Sequence, residues 1–200
     1  MTYGVNFTMY DERYLKTVRD HHKALSVARR ELQSNASDIL GASKRAVFAI
    51  QRGDSKAADT ELGSARKSVG KGKAIVKKES RLLGEGMWRA GLEEYTEAVL
   101  YNDAIAGRKI GIVKEVEGDP DTYLGALSDL TGELTRSAVL AATERKVKEV
   151  KRLHVLVREA VEFLLTLDLT GSHRQKFDQA KQNLRKIEEI AFNVSLHVEK

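Results

Sequence analysis

The chain has 200 residues, of which 42% are hydrophobic and 32% charged, enough to bury a substantial core and unlike a disordered composition. It contains no cysteine, which excludes disulfides and thiolate metal sites, and no apolar run approaches the length of a membrane span. Thirty-four basic against twenty-nine acidic residues give a net charge of +5, which favours polyanionic partners and also describes many ordinary surfaces. The opening MTYGVNFTMYDERY carries neither a basic lead nor an apolar signal core, so the expectation is a soluble, cytoplasmic protein with no membrane partner.

Pro120 is the only proline and alternating β-branched stretches are scarce, which makes the fold class all-α. Leu15, Val18, His22, Leu25, Arg29, Leu32, Ala36, Ile39, Ser43, Ala46 and Ile50 recur at steps of three and four, predicting one helix over Tyr10 to Arg52. Gly53-Asp54-Ser55 then supplies a terminating glycine and a cap for a second helix that runs to Gly84. A third helix is expected from Met87 to Lys114. Asp119 and Pro120 open a fourth, cap followed by a first-turn proline, which continues to Arg145. A fifth covers Lys146 to Asp168, Gly171 turns the chain, and Ser172 to Gln175 reads as a capping box for the last helix. Six helices with short connections predict a single-domain antiparallel bundle over residues 1–200. Asp-Leu-Thr-Gly occurs at 129–132 and again at 168–171, but the first copy lies within a helix and the second at a terminus, so the chain is not a repeat.

Seven cations, Arg66, Lys67, Lys71, Lys73, Lys77, Lys78 and Arg81, fall within about 160° of the second helix, opposite Val69, Ile75, Val76 and Leu83. Such a stripe matches the spacing of phosphates and would bind a nucleic-acid backbone by counterion release without reading sequence. A solvated helix face has the same pattern. Gly63, Gly70 and Gly72 each weaken the helix that the stripe requires. Lys44, Arg45 and Arg52 extend the basic set, as does Arg89 beside Trp88, whose ring is expected in the core and not against a base.

Two helices carry paired acids. Glu94 and Glu97 are three apart on the third helix, and Asp129 and Glu133 four apart on the fourth, so each pair shares a face. Four hard oxygen donors brought together by packing would suit Mg²⁺ or Mn²⁺ and, through it, the activation of water for in-line attack on a phosphodiester. The same spacing is common in solvated ion pairs. Leu127, Leu130, Leu134 and Ala138 leave Glu133 at the edge of the apolar face and Asp129 further round, so Asp129 needs a second packing partner; Gly132 suggests close backbone approach nearby. His21, His22, His154, His173 and His197 are scattered and form no Glu-x-x-His pair, which disfavours di-iron chemistry, and His22 is expected on the buried seam. No nucleophile elbow, P-loop or Rossmann glycine pattern is present.

Glu94-Tyr95-Thr96-Glu97-Ala98, Tyr123-Leu124-Gly125 and Ser128-Asp129-Leu130-Thr131-Gly132-Glu133-Leu134-Thr135-Arg136 resemble the translin and Trax family, and Lys176-Phe177-Asp178-Gln179-Ala180-Lys181 with Lys186-Ile187-Glu188 is similar to its C-terminal signature. The resemblance spans nearly the whole chain. It implies closed, mostly octameric all-α shells that bind RNA, single-stranded or duplex, or single-stranded DNA on the interior. It further implies that Glu94, Glu97, Asp129 and Glu133 correspond to the catalytic, metal-binding acids of the Trax branch, with Mg²⁺ or Mn²⁺ as cofactor and endoribonuclease activity in a homo-oligomer. One departure is Gly84-Glu85-Gly86, which stands where translin has a basic, histidine-rich approach to the tryptophan. The alternatives are a non-catalytic, translin-like binding shell and a purely structural helical oligomer.

Overall fold

The computed structural model describes residues 9–196, so most of the N-terminal stretch read for a signal, and His197, lie outside the described residues. Among those residues there are six α-helices and no strand: α1 Glu12–Gln51, α2 Ser55–Lys78, α3 Gly86–Ile105, α4 Pro120–Thr143, α5 Val147–Leu165 and α6 Gly171–Leu196. Short 3₁₀ turns at Ser80–Leu82 and Lys114–Val116 complete the elements. None of these helices is long and apolar enough to cross a membrane.

The caps explain where helices begin. Asp11 accepts hydrogen bonds from the amides of Arg13 and Tyr14, and Asp54 from that of Ala57 at 2.9 Å, while Gly53 turns the chain between α1 and α2 at φ +74°. Asp119 caps α4 through the Thr122 amide and also accepts from Thr122 Oγ1 at 2.7 Å, with Pro120 in the first turn. Several expected boundaries move. The third helix stops at Ile105 and not at Lys114, because Gly107 takes φ +69° and Ile110 to Val116 return along the bundle with Val113 and Val116 buried. The second stops at Lys78, ahead of the expected Gly84. Arg145, expected as the last residue of the fourth helix, takes φ +56° and occupies the left-handed position between α4 and α5. The last helix starts at Gly171, which puts Ser172 inside its first turn and not at a cap.

Packing divides the helices into two groups. α1, α2 and α3 pack on one another, as do α4, α5 and α6, and the α3–α4 contact joins the groups. α3 is consequently buried on several sides. Trp88, Leu92, Tyr95, Ala98, Leu100 and Tyr101 all lie in the core, as expected for Trp88. Two tyrosine hydroxyls tie α3 outward: Arg66 Nε donates to that of Tyr95 at 3.1 Å, and that of Tyr101 lies 2.6 Å from Ser137 Oγ on α4.

The α1 seam is buried only from Leu32 onward, through Ala36, Ile39, Ser43, Ala46 and Ile50. Forty residues make α1 about 60 Å long, more than the bundle covers. His22 is therefore exposed and not a core residue, and Tyr14 and Val18 are exposed with it.

Close approach accounts for one of the three α2 glycines. A Cβ at Gly72 would lie 2.2 Å from Trp88 Cζ3 and 2.7 Å from Asn35 Oδ1, whereas nothing stands within 4 Å of one at Gly63 or Gly70. Gly72→Ala should lower stability by about 1–3 kcal/mol despite alanine's better helix propensity, and Gly70→Ala should raise it by up to about 1 kcal/mol. Opposite shifts of the urea midpoint check both.

Candidate functional site

The acids of α3 and α4 face each other across the junction of the two helical groups. With most of α3 committed to the core, Glu93, Glu94 and Glu97 occupy its remaining, half-buried strip. On α4, Gly125, Asp129 and Glu133 follow one another at steps of four and so form a column on one face. The columns are in register at Gly125 and Glu93: a Cβ at position 125 would lie 2.1 Å from Glu93 Oε2. Absence of a side chain at Gly125 is what admits the Glu93 carboxylate.

Two other helices close the site. From α6, the Lys176 ammonium donates to both Glu93 Oε1 and Asp129 Oδ2, which makes α6 the packing partner that Asp129 required. From α1, Lys44 Nζ stands 3.9 Å from Glu94 and Gln51 Nε2 donates to Glu133 Oε2 at 2.5 Å. Lys44 and Gln51 are seven residues apart, two helical turns on one face. Lys44 therefore belongs to the carboxylate site and does not simply extend the basic stripe.

The electrostatics follow from this crowding. Burial pushes the Glu97 carboxyl up to about 8, aided by the charges of Asp129, Glu94 and Glu133. Burial raises Glu94 also, with Lys44 opposing, and raises Glu93 in spite of its bond to Lys176. Burial alone would lower Lys176, but its bonds to Asp129 and Glu93 outweigh that and hold it above its ordinary value. Five carboxyl groups thus share two lysines, and Glu97, which neither lysine bonds, answers the crowding by holding on to its proton.

The donors are all carboxylate oxygens, the type a hard divalent cation takes, and a deficit of positive charge at Glu97 is what such a cation would remove. Among the described residues, no three His, Cys, Asp or Glu side chains stand together closely enough to hold a metal ion. The fit is one of donor type and charge.

The basic residues do not all remain available. Arg66 bonds Glu115 at 3.0 Å, Arg45 bonds Glu61 at 2.9 Å, Arg89 lies 3.5 Å from Asp121, and Arg81, off the end of α2 on the 3₁₀ turn, bonds Glu79 at 2.9 Å. Lys67, Lys71, Lys73, Lys77 and Lys78 are exposed on α2 with no ion pair to the described residues. Lys73 and Lys77 line a cleft of 640 Å³ together with Arg89, Leu83 and Trp88; Glu115, Glu117, Asp119 and Asp121 line it as well. Glu85, in the Gly-Glu-Gly departure, bonds Arg29 of α1 at 2.7 Å.

The Translin family profile matches residues 27–198. The chain belongs to the Translin family. The fold of this Translin-family protein is similar to that of apo-NeC3PO (20% identity, TM-score 0.84, 94% of this chain and 100% of the other) and of AfC3PO (23%, 0.85, 94% and 100%). AfC3PO in complex with duplex RNA is similar as well (23%, 0.84, 92% and 97%). No curated protein matches it in sequence.

Sequence reasoning does not reach Glu93 or Lys176. Glu93 adjoins Glu94 but falls outside the three-residue pairing that marks the acids, and Lys176 is remote in sequence, though it stands in the C-terminal signature. Gly125, within the Tyr123-Leu124-Gly125 motif, is the available signal for close approach. At Gly132, the glycine expected in that role, an added Cβ would make only ordinary contact, 3.5 Å from Asn183 Nδ2.

The raised Glu97 carboxyl has a consequence for stability. A group raised from 4.5 to about 8 on folding contributes stability that is complete below pH 4.5 and is lost as the pH climbs through 8. Glu97→Gln removes that loss. In EDTA, the melting temperature of the variant should exceed that of the wild type by a margin that grows from pH 5 to pH 8, reaching roughly 5 °C or more. A margin independent of pH would contradict the crowding around Glu97.

Proposed function

We propose that this Translin-family chain, acting as one cytoplasmic domain, is a Mg²⁺-dependent endoribonuclease of the Trax type that cleaves RNA inside a homo-octameric shell. The observation that carries the reading is the facing of Glu94 and Glu97 on α3 with Asp129 and Glu133 on α4, in a site short of positive charge at Glu97. These four residues would hold Mg²⁺, or Mn²⁺ in its place, and the cation would acidify a water and offset charge on the phosphate and the leaving oxygen. Glu97 has to give up its carboxyl proton to serve as a ligand. Gln51 holds Glu133 in place through its amide, and the Lys44 ammonium, 3.9 Å from Glu94, offsets its charge without a hydrogen bond. The unpaired α2 lysines would engage the phosphate backbone of single-stranded or duplex RNA, or of single-stranded DNA, without sequence preference. The complex of AfC3PO with duplex RNA supports an RNA substrate. The exposed apolar side chains on the projecting half of α1, Tyr14, Val18 and Val27, together with Ile112 and Phe163 elsewhere, support assembly with further copies.

A second reading is a non-catalytic binding shell. It is favoured by the bond that Lys176 makes to Asp129 and by the spread of the carboxylates beyond metal-holding distance among the described residues. Cleavage of labelled single-stranded RNA decides between them. The nuclease reading expects product with Mg²⁺, none with EDTA, and at least about a hundredfold loss of rate in Glu97→Ala with RNA binding retained. Binding without cleavage under Mg²⁺ and Mn²⁺ would establish the binder instead.

The lysine track is tested separately. Lys73→Gln with Lys77→Gln should weaken RNA binding and make log K less steeply dependent on log salt, by about 0.7 for each phosphate that the two lysines neutralise. An unchanged slope would place the RNA elsewhere.

A further inference from the structure

The rim of the carboxylate site carries an aromatic ring that neither the core nor the proposed chemistry uses. Phe48 is 49% exposed, although its neighbours Ala46, Ala49 and Ile50 on α1 are buried. It falls between Lys44 and Gln51, the residues that reach Glu94 and Glu133, and the three lie within about 60° around the helix. Arg136 has the same relation to α4, where it shares a sector of about 60° with Asp129 and Glu133. The two side chains meet: the Arg136 guanidinium lies 5.9 Å from the centroid of the Phe48 ring. α1 and α4 both pack on α3. They reach each other across its acidic strip through Gln51 with Glu133 and through Phe48 with Arg136.

Leaving half of a phenyl ring in water is unfavourable, and one contact with a guanidinium offsets only part of that. Arg136 is itself exposed and, among the described residues, has no ion pair. An open aromatic surface beside an uncommitted guanidinium matches the two halves of one nucleotide. Its base stacks on the ring, and its phosphate accepts from the guanidinium. Exposed Val139 and Leu140, beyond Arg136, make a second copy of the chain the competing occupant. The polar neighbours of Phe48 on its own helix face, Lys44 and Gln51, favour the nucleotide.

We infer that Phe48 and Arg136 form a platform that seats one unpaired base of the RNA beside the carboxylates. This deepens the nuclease reading and rests on it for the choice of bond that is cut. Phe48 is then a specificity-determining residue. A base inside a duplex is already stacked on both faces, so only a base in a single strand, a bulge or a frayed end can take the ring. Stacking on a phenyl ring reads no sequence, because every base has an aromatic face.

Two measurements on the full-length protein test this, with folding and assembly of the variants judged by circular dichroism and elution volume. In EDTA, Phe48→Leu should bind single-stranded RNA about tenfold more weakly than the wild type, with the same dependence of log K on log salt. Its affinity for a fully paired duplex should be unchanged, and Phe48→Trp should restore binding of the single strand. With Mg²⁺, one abasic residue in a single-stranded RNA should slow wild-type cleavage of an adjoining bond by about tenfold, and Phe48→Leu should abolish the difference. Equal affinity of the wild type and Phe48→Leu for the single strand overturns the inference. Equal weakening on single strand and duplex, or an altered elution volume, assigns Phe48 to the fold or to a contact between copies and overturns it also. Cleavage that ignores the abasic residue overturns the platform, needs no variant, and leaves the nuclease reading intact. A binding difference without cleavage under Mg²⁺ or Mn²⁺ overturns the nuclease reading and the directing role with it, while sustaining the base platform.

Discussion

Confinement of like charges at the α3–α4 junction is the constraint to which the rest of the structure answers. Three acids on α3 and two on α4 are brought together at the contact that joins the two helical groups. Packing that many carboxylates in a half-buried strip is unfavourable, as the rise of Glu97 to about 8 records. The junction can exist because the apolar surface of α3, built on Trp88, Leu92, Tyr95, Leu100 and Tyr101, drives the helix into the core regardless of the acids on its remaining strip. Such a cluster works against folding in a molecule whose net stability is marginal.

The compensation is drawn from opposite ends of the chain. Lys44 and Gln51 reach the site from α1 and Lys176 from α6, so the first and last helices clamp the junction from two sides. The short loops within each helical group would suffice for local packing; it is the requirement for cations and donors at one junction that ties the groups into one site. Gly125 belongs to the same design, since the smallest residue in the α4 column stands where the α3 column needs room for Glu93.

How far all this is legible in sequence depends on the range of the interaction. Helix starts are readable because a cap acts over three residues: Asp54 and Asp119 sit where their side chains are expected to be. The burial of Leu32, Ala36, Ile39, Ser43, Ala46 and Ile50 follows from periodicity, but the same periodicity misplaces His22, because a pattern states which face is apolar and not how far the neighbouring helix extends. The pairs Glu94 with Glu97 and Asp129 with Glu133 are visible for the same local reason. Glu93 and Lys176 are not, since their place is set by which helix lies opposite, and the end of α3 is hidden because a glycine can also lie within a helix at a cost of about 1 kcal/mol, as Gly63 and Gly70 do in α2, so that Gly107 marks the turn only by preference.

The basic face shows the same limit from another side. Seven cations share one sector of α2 in projection, yet the structure separates them by partner. Arg66 is turned to Glu115 and Tyr95, Arg81 leaves the helix to bond Glu79, and five lysines remain without an ion pair to the described residues. The distinction has a chemical basis. Guanidinium groups, with several donors in a rigid fork, are engaged by internal carboxylates, while the more strongly hydrated ammonium groups stay in solvent. A lysine face left in that state has no ion pair to the described residues to give up to a phosphate, although its mobile side chains would lose conformational freedom on engaging one. Arg66, on the inner edge of the stripe, instead fixes α2 to α3 through Tyr95 and to the 106–119 segment through Glu115. It links the lysine-bearing α2 to α3, which carries acids of the junction.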